Sequence, residues 1–213
     1  NFFAGYLSGF SNTTGYYNFF LGVSCGYNNM TGFNNFYSGE ASGFFNTIGS
    51  LNVGIGKGAG YSNTTGSNNN AIGQSSGFAI VAGNNNNTFG QNAGRNIRNG
   101  INNIAIGYNA GYSGVATDTL GGDNNVLIGY QAGDNINLDA DRNIVIGNVD
   151  LPTATGDNQM TIGNLLFGTD MTGTGTIAAG KLGVLTASPT QEFDADGDAY
   201  IRDSLRVGTL PRN

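Results

Sequence analysis

The residue types that most often carry out catalysis are scarce in this chain of 213 residues. It contains no histidine and one cysteine, which removes histidine-based acid–base catalysis, Ser-His-Asp triads and most zinc sites. Residues 54–58 read Gly-Ile-Gly-Lys-Gly, but they lack the spacing of a phosphate-binding loop and the Ser or Thr that follows its lysine. The sequence therefore predicts a protein that is not an enzyme, with no catalytic residue and no cofactor.

One acidic segment has part of the spacing of a calcium-binding loop. Asp194, Asp196 and Asp198 match the first ligand positions of such a loop, but its twelfth position is Leu205. A calcium loop needs a Glu there, because that side chain supplies two oxygen ligands. An acidic turn is the better interpretation, and we predict no metal site.

Four Asn-X-Ser/Thr sequons are possible sites of N-glycosylation: Asn12, Asn29, Asn63 and Asn86. The first three occupy the same position of a sequence repeat, so we expect them to share one exposed edge. A chain this rich in Asn and Thr also produces such sequons by chance.

A repeat of 17 residues organises the first half of the chain. We number each repeat from its first Asn and call the residues that lie n positions after it, in successive repeats, column +n. Glycine fills columns +4, +8 and +14, beginning with Gly5, Gly9 and Gly15. Column 0 is a ladder of asparagines: Asn1, Asn18, Asn35, Asn52, Asn69, Asn86, Asn103, and less regularly Asn125 and Asn143. Self-similarity at a fixed period predicts a solenoid.

The length of the repeat selects a parallel β-solenoid. Two helices and their turns need roughly 33 residues, whereas 17 residues suit one coil of short strands with glycines at its corners. We call the coil formed by one repeat a rung. We expect ten rungs within a β-solenoid region at 1–163, regular to about 110 and looser after that. The segment 164–213 is expected to be a linker and a C-terminal β-strand module, because residues 199–207 alternate between apolar and polar.

Three further columns suggest how a rung is built. Column +3 is mostly aliphatic, including Leu21 and Ile55, and we expect it to point inward. Column +9 is mostly aromatic, and its rings are expected to stack at a seam between faces or between chains. The column 0 amides are expected to bond to one another along the rod, and Glu40 and Lys57 should pair on an outer face. Cys25 falls in a column of small residues and should be buried.

Composition limits the partners of this chain. Its net charge is −6 and its isoelectric point about 4.3, which argues against nucleic-acid binding. No apolar run approaches the roughly 18 residues of a membrane span, so we expect no membrane insertion in this segment. The chain begins at phase zero of the repeat, as a segment of a longer or processed chain would. Its apolar first strand makes Phe2 and Phe3 a possible assembly end.

The strand motifs resemble a known family. Residues 104–111 read Ile-Ala-Ile-Gly-Tyr-Asn-Ala-Gly and residues 126–133 read Val-Leu-Ile-Gly-Tyr-Gln-Ala-Gly. They look like the head repeats of trimeric autotransporter adhesins. That resemblance implies a parallel β-roll in which three chains pack side by side. Residues 185–199 are similar to a linker found in bacterial surface fibres and phage tail-fibre proteins.

These observations predict a non-enzymatic structural subunit of an extracellular fibre or filament. It would be adhesin-like, form a homotrimer and possibly an end-to-end polymer, and contact a host-cell surface or glycan receptor. One alternative is the shaft or receptor-binding module of a phage tail fibre, which would make it a virion appendage. Another is a glycan- or ice-binding solenoid, although the threonine columns +12 and +13 are too mixed for a regular ice-binding face.

Overall fold

The computed structural model describes residues 1–112, 121–136, 140–169, 181–184 and 193–195, and within these ranges it contains strands and turns but no helix. One three-residue strand occurs in each rung and pairs in parallel with the strand of the next. These are β1 Phe2–Ala4, β2 Phe19–Leu21, β3 Phe36–Ser38, β4 Val53–Ile55, β5 Asn70–Ile72, β6 Asn87–Phe89, β7 Ile104–Ile106, β8 Val126–Ile128, β9 Ile144–Ile146 and β10 Met160–Ile162. The predicted all-β parallel solenoid is confirmed.

The strands remain in register where the repeat lengthens. Phe20 pairs with Tyr37 across a regular step, and Leu127 still pairs with Ala105 and Val145 across two longer steps. The sheet then continues with β11 Leu166–Thr169, β12 Lys181–Val184 and β13 Phe193–Ala195. Strand β11 is antiparallel to β10 and to β12, and β13 is parallel to β12. Asp194 lies within β13, and the predicted strand at 199–207 lies outside the described residues.

The column that points inward is +2, and the prediction that column +3 does so is wrong. Side chains alternate along a strand, so the middle residue of three faces one way and both neighbours face the other. Phe20, Leu127 and Val145 in column +2 have no exposed surface, whereas Leu21 in column +3 is 45% exposed. Column +3 misled the prediction because it is the more uniformly aliphatic of the two.

Side chains of two inward columns fill the narrow core, and their sizes vary in opposite directions along the rod. Column +2 carries large rings in the early rungs, as at Phe20 and Tyr37, where column +11 carries asparagine. Column +2 then becomes small, as at Ala71, and column +11 becomes Ile80 and Ile97, both fully buried. Such compensation keeps the interior close-packed while the coil keeps one size. It also divides the core into an aromatic cluster near Tyr37 and an aliphatic cluster that begins at Ile80.

Buried asparagines fasten each rung to the next. The Oδ1 atom of Asn18 accepts the backbone N–H of Asn35 at 2.9 Å, and its Nδ2 donates to the carbonyl of Gly32 at 2.8 Å. Asn29 of column +11 donates to the same Gly32 carbonyl at 3.0 Å. The amide ladder of column 0 thus runs mainly through backbone N–H groups. Direct amide-to-amide bonds join only some members, as between Asn103 and Asn86 at 3.1 Å.

The corners depend on backbone shapes that the glycine columns only partly supply. A Cβ on Gly22 of column +4 would lie 2.6 Å from the carbonyl oxygen of Gly39, so the stacked backbones leave no room for a side chain. Columns +6 and +16, by contrast, adopt left-handed φ angles of 52–61° with residues other than glycine. Column +6 includes Leu7, Ser24, Ala41, Ser75, Asn92, Asn109 and Gln131, and column +16 includes Tyr17, Asn34, Leu51, Asn68, Asn85, Asn102, Asn124, Arg142 and Asn158.

Candidate functional site

The outward face of the sheet is an extended apolar surface. Columns +1 and +3 flank the middle residue of each strand, which is buried from β2 to β10, and therefore point outward together. None of their members in β1–β10 is fully buried. The surface is apolar from Phe2 to Ile162 and is interrupted only by Ser38, Asn70 and Asn87. We call it the strand face.

The strand face changes character along the rod. Its first rungs are aromatic, with Phe2 stacked on Phe19 at 4.7 Å and Phe19 on Phe36 at 4.8 Å between ring centroids. Its later rungs are aliphatic, and Ile106 and Ile146 are each 38% exposed. Asn70 and Asn87, which we call the polar interruption, lie between these two parts. Water in contact with such a surface is unfavourable, at about 25 cal/mol for each Å² of apolar area.

Aromatic column +9 forms a second stack, as predicted. Its rings follow one another at 4.7–5.3 Å between centroids. Arg95 replaces a ring in this column, with its guanidinium 5.2 Å from the centroid of Phe78 and 5.3 Å from that of Tyr112. Stacking covers the ring faces and leaves their edges toward solvent. Because sugars bind to ring faces, this geometry disfavours column +9 as a glycan platform.

The threonine column is also engaged within the rod. The Oγ1 atoms of Thr13, Thr47 and Thr64 donate to carbonyls of the following rung at 2.8–3.0 Å. Hydroxyls that already donate to the backbone are poorly placed to organise ice-like water. The structure therefore gives no support to the ice-binding alternative from this column.

The expectation that the sequons share one exposed edge is wrong. Column +11 points into the core, and Asn29 and Asn63 are 0% and 2% exposed. Asn86 of column 0 is likewise fully buried. The Nδ2 atom that a glycan would occupy already donates hydrogen bonds, for example from Asn63 to the Asn46 Oδ1 atom at 2.9 Å. Asn12 is half-buried, with its Nδ2 donating to the carbonyl of Gly15 at 3.0 Å.

The glycine-rich run at 54–58 is a strand end and a corner. The backbone N–H groups of Gly56 and Gly58 donate to the carbonyls of Ser38 and Glu40 at 2.8 and 2.9 Å. A phosphate-binding loop needs such N–H groups free to face the ligand. Lys57 in the same run pairs with Glu40 at 3.0 Å on an exposed surface, which confirms the predicted ion pair but contributes little stability.

Cys25 is fully buried, as its small-residue column predicts. Burial raises the pKa of its thiol to about 12, so the thiolate that acts as nucleophile or metal ligand is scarce at neutral pH. Within the described ranges, no three His, Cys, Asp or Glu side chains gather as a metal site would require. Asp196 and Asp198 lie outside those ranges.

The possible assembly end at Phe2 and Phe3 is solvent-accessible. Phe3 belongs to the inward column +2 and stacks on Phe20 at 5.0 Å, yet it is 37% exposed because the described chain covers only one of its sides. Phe2 is 51% exposed. End-to-end association through these residues stays a prediction.

Sequence reasoning missed the strand face and a small cavity beside Tyr37. The alternation of side chains in the motif could have revealed the strand face, since placing column +2 inside exposes columns +1 and +3 together.

Among the described residues, no helix is long and apolar enough to cross a membrane. No protein-family model, curated protein or solved structure matches this chain.

Proposed function

We propose that this chain is a non-enzymatic structural module of an extracellular fibre, in which three parallel copies pack their strand faces around a common axis. The strand face is the observation that carries this proposal. Ten strands at a spacing of about 4.8 Å and three residues at about 3.3 Å give a flat area of roughly 450 Å². The largest apolar patch on a soluble monomer is typically about 300–600 Å² and is often functional.

The pattern along the strand face favours parallel copies in register. Its aromatic rungs at Phe2, Phe19 and Phe36 then meet aromatic rungs, and its isoleucine rungs meet isoleucine rungs. Every copy has the same rung spacing, so contacts repeat without mismatch along the rod. In a three-fold ring the contacts are heterologous, so one side of each strand face would meet the other side of the next copy's strand face, and the rotation closes the assembly.

The polar interruption supplies a means of fixing register. Asn70 donates to the Asn87 Oδ1 atom at 2.7 Å, and both side chains are half-buried on the strand face. A shift by one rung between copies would leave Asn70 opposite Asn87 at one rung and place the other amide of each copy against Val53 or Ile104. Leaving buried polar groups without partners costs about 1–3 kcal/mol each, so the shifted packing is the less stable one. Single buried asparagines fix register in coiled coils in the same way.

The fibre's setting and task are part of the same proposal. Resemblance to adhesin head repeats supports a rod on a bacterial surface that presents an attachment surface, and the tail resemblance supports a virion appendage. In both settings the rod extends from the cell or virion and presents an attachment surface, and it catalyses no reaction. A host-cell surface or glycan receptor stays a prediction.

Light scattering on the purified chain and its variants tests the assembly. We expect a mass of three 22.0 kDa chains for the wild type. Ile106→Lys combined with Ile146→Lys should reduce the assembly to single chains, since charges cannot be buried in an apolar interface without a large cost. Ile48→Lys is the control, because Ile48 is 54% exposed in column +13, away from the strand face. A folded monomeric wild type at micromolar concentration would contradict the proposal.

A further inference from the structure

Two columns change residue type at one place in the core. The aromatic run of column +2 ends at Tyr37 and is followed by Gly54. The asparagine run of column +11 ends at Asn63 and is followed by Ile80. The rung between the aromatic and aliphatic clusters therefore has no large inward side chain. A Cβ on Gly60 of this rung would meet no atom within 4 Å, whereas one on Gly77 would lie 2.9 Å from Ile80.

The open space beside Gly60 is a cavity, whereas a Cβ on Gly54 would lie 2.6 Å from the Ser42 Oγ atom. It offers about 10 Å³ to the centre of a water molecule and is lined by Tyr37, Gly60, Asn63, Ala71 and Ile80 among others. A cavity of roughly 10–15 Å³ measured in this way holds one water if it also has polar partners.

Two buried polar atoms beside this cavity have no hydrogen-bond partner. They are the hydroxyl of Tyr37, a residue 1% exposed, and the Oδ1 atom of Asn63, a residue 2% exposed. The side chains of Asn63 and Asn52 approach the Tyr37 hydroxyl but form no hydrogen bond of good geometry with it. Asn63 has a surplus acceptor because its column ends there. In the preceding rungs each Oδ1 accepts from the next asparagine, as Asn46 does from Asn63 at 2.9 Å, but Ile80 has no donor to offer.

We propose that one water molecule binds in this cavity and bridges Tyr37 and Asn63. The Tyr37 hydroxyl donates to the water, and the water donates to the Asn63 Oδ1 atom. Both unpaired groups are satisfied by a single molecule. Without it, each would carry the cost of a buried polar atom that lacks a partner. The water would thus lie between the aromatic and aliphatic clusters of the core.

The first test is a crystal structure of the assembled protein at a resolution that shows ordered water. We expect a density peak about 2.7–3.2 Å from both the Tyr37 Oη and Asn63 Oδ1 atoms. Well-ordered side chains with an empty cavity, or a direct hydrogen bond between Tyr37 and Asn63 with no peak, would overturn the proposal.

The second test is the unfolding equilibrium of Tyr37→Phe. If water bridges the two groups, removing the hydroxyl should raise the unfolding constant roughly 3- to 10-fold. If the cavity is dry, the change removes an unpaired buried hydroxyl, and the unfolding constant should fall. Tyr61→Phe is the matched control, since Tyr61 lies in the half-exposed column +9 between Phe44 and Phe78.

Asn63→Ile then tests the coupling. Isoleucine would extend the column of Ile80 and Ile97 and fill the cavity, which displaces the water. In that background the Tyr37 hydroxyl has no partner, so adding Tyr37→Phe should lower the unfolding constant. A Tyr37→Phe effect of the same sign in both backgrounds would contradict the bridge. Should the Asn63 variant fail to fold, the crystallographic test still decides.

Discussion

The Oδ1 atom of Asn35 accepts the backbone N–H of Asn52, one rung later, at 3.0 Å. The same side chain donates from Nδ2 to the carbonyl of Gly49 at 2.9 Å, which closes its own coil. One buried amide therefore holds both the spacing between rungs and the shape of a corner. No other side chain of similar size offers a donor and an acceptor in this arrangement without a charge, which explains why the column is asparagine in every regular rung.

Asn35→Ala should lower the free energy of unfolding by about 2–4 kcal/mol, because the buried Asn52 N–H loses its acceptor and one further hydrogen bond disappears. The Gly49 carbonyl keeps its bond from Asn46 at 2.9 Å. Chemical denaturation measures the difference. Asn99→Ala, at an exposed position, is the control and should change stability by less than about 0.5 kcal/mol. Equal effects of the two substitutions would contradict the structural role of column 0.

The sequence was sufficient to predict the solenoid because column 0 and the glycine columns have one residue type each. Each of these columns performs a backbone task that a single residue type does best. It was not sufficient to predict the inward column. Column +2 mixes Phe20, Ala71 and Thr88 because its volume is balanced against column +11. The varied residue types of column +2 are explained only by the structure, in which columns +2 and +11 share the core.

Ile97 and Ile106 test the corrected assignment of the inward and outward faces. Ile97 is fully buried in column +11, and Ile106 is 38% exposed on the strand face. Ile97→Ala should reduce the free energy of unfolding by about 2–5 kcal/mol through lost burial and a cavity. Ile106→Ala should weaken assembly instead, so its effect should grow as protein concentration falls. Denaturation at two concentrations separates them, and a concentration-dependent effect confined to Ile97→Ala would reverse the assignment.

The asparagines that fill most of column +16 tolerate a left-handed φ, but the left-handed corners of column +6, and those at Leu51 and Arg142, could not be predicted from residue type. Leu51, Ala41 and Arg142 are ordinary residues that disfavour positive φ. Their neighbours hold them there, since backbone hydrogen bonds to adjacent rungs fix the corner. Glycine occupies column +6 only at Gly58, so the column has no compositional signature. The predicted exposed edge for Asn29 failed for a related reason, because sequons say nothing about side-chain direction.

Ala41→Gly should stabilise the rod. Ala41 has a φ of 54°, where a residue with a Cβ is strained by about 1–2 kcal/mol, and glycine removes that strain at an entropic cost of about 0.5–1 kcal/mol. We expect a net gain of a few tenths to about 1 kcal/mol by thermal or chemical denaturation. Ala59→Gly is the control, because Ala59 is buried without a left-handed φ and should be destabilised. Loss of stability in both variants would show that the corner carries no strain.

Asp134 should make the rod less stable as the pH rises through the acidic range. Burial, and then the neighbouring Asp150 carboxyl, raise the pKa of Asp134 from 3.8 to about 6. The folded state therefore binds this proton more tightly than the unfolded state, so the free energy of unfolding falls between about pH 4 and 6. The group is partly exposed, and solvent screening limits the effect to about 1 kcal/mol.

Asp134→Asn should flatten that part of the pH profile and raise stability at pH 7, as measured by denaturation from pH 4 to 7. Asp150→Asn removes the neighbouring carboxyl and should flatten the profile in part. An unchanged slope in Asp134→Asn would show that another group is responsible.

Removal of one complete rung tests whether the rod is modular. Deleting residues 52–68 joins Leu51 to Asn69 with every column still aligned, and the strands of β3 and β5 can then pair directly. In solenoids, each unit contacts only its neighbours, so the shortened chain should unfold cooperatively and its rod should be shorter by about 4.8 Å. Deleting residues 52–59 is the control, since it joins Leu51 to Gly60 and places glycine corners where strands must form. Circular dichroism and thermal unfolding compare the two variants. If both keep the fold equally well, or both lose it, the rungs are not interchangeable structural units.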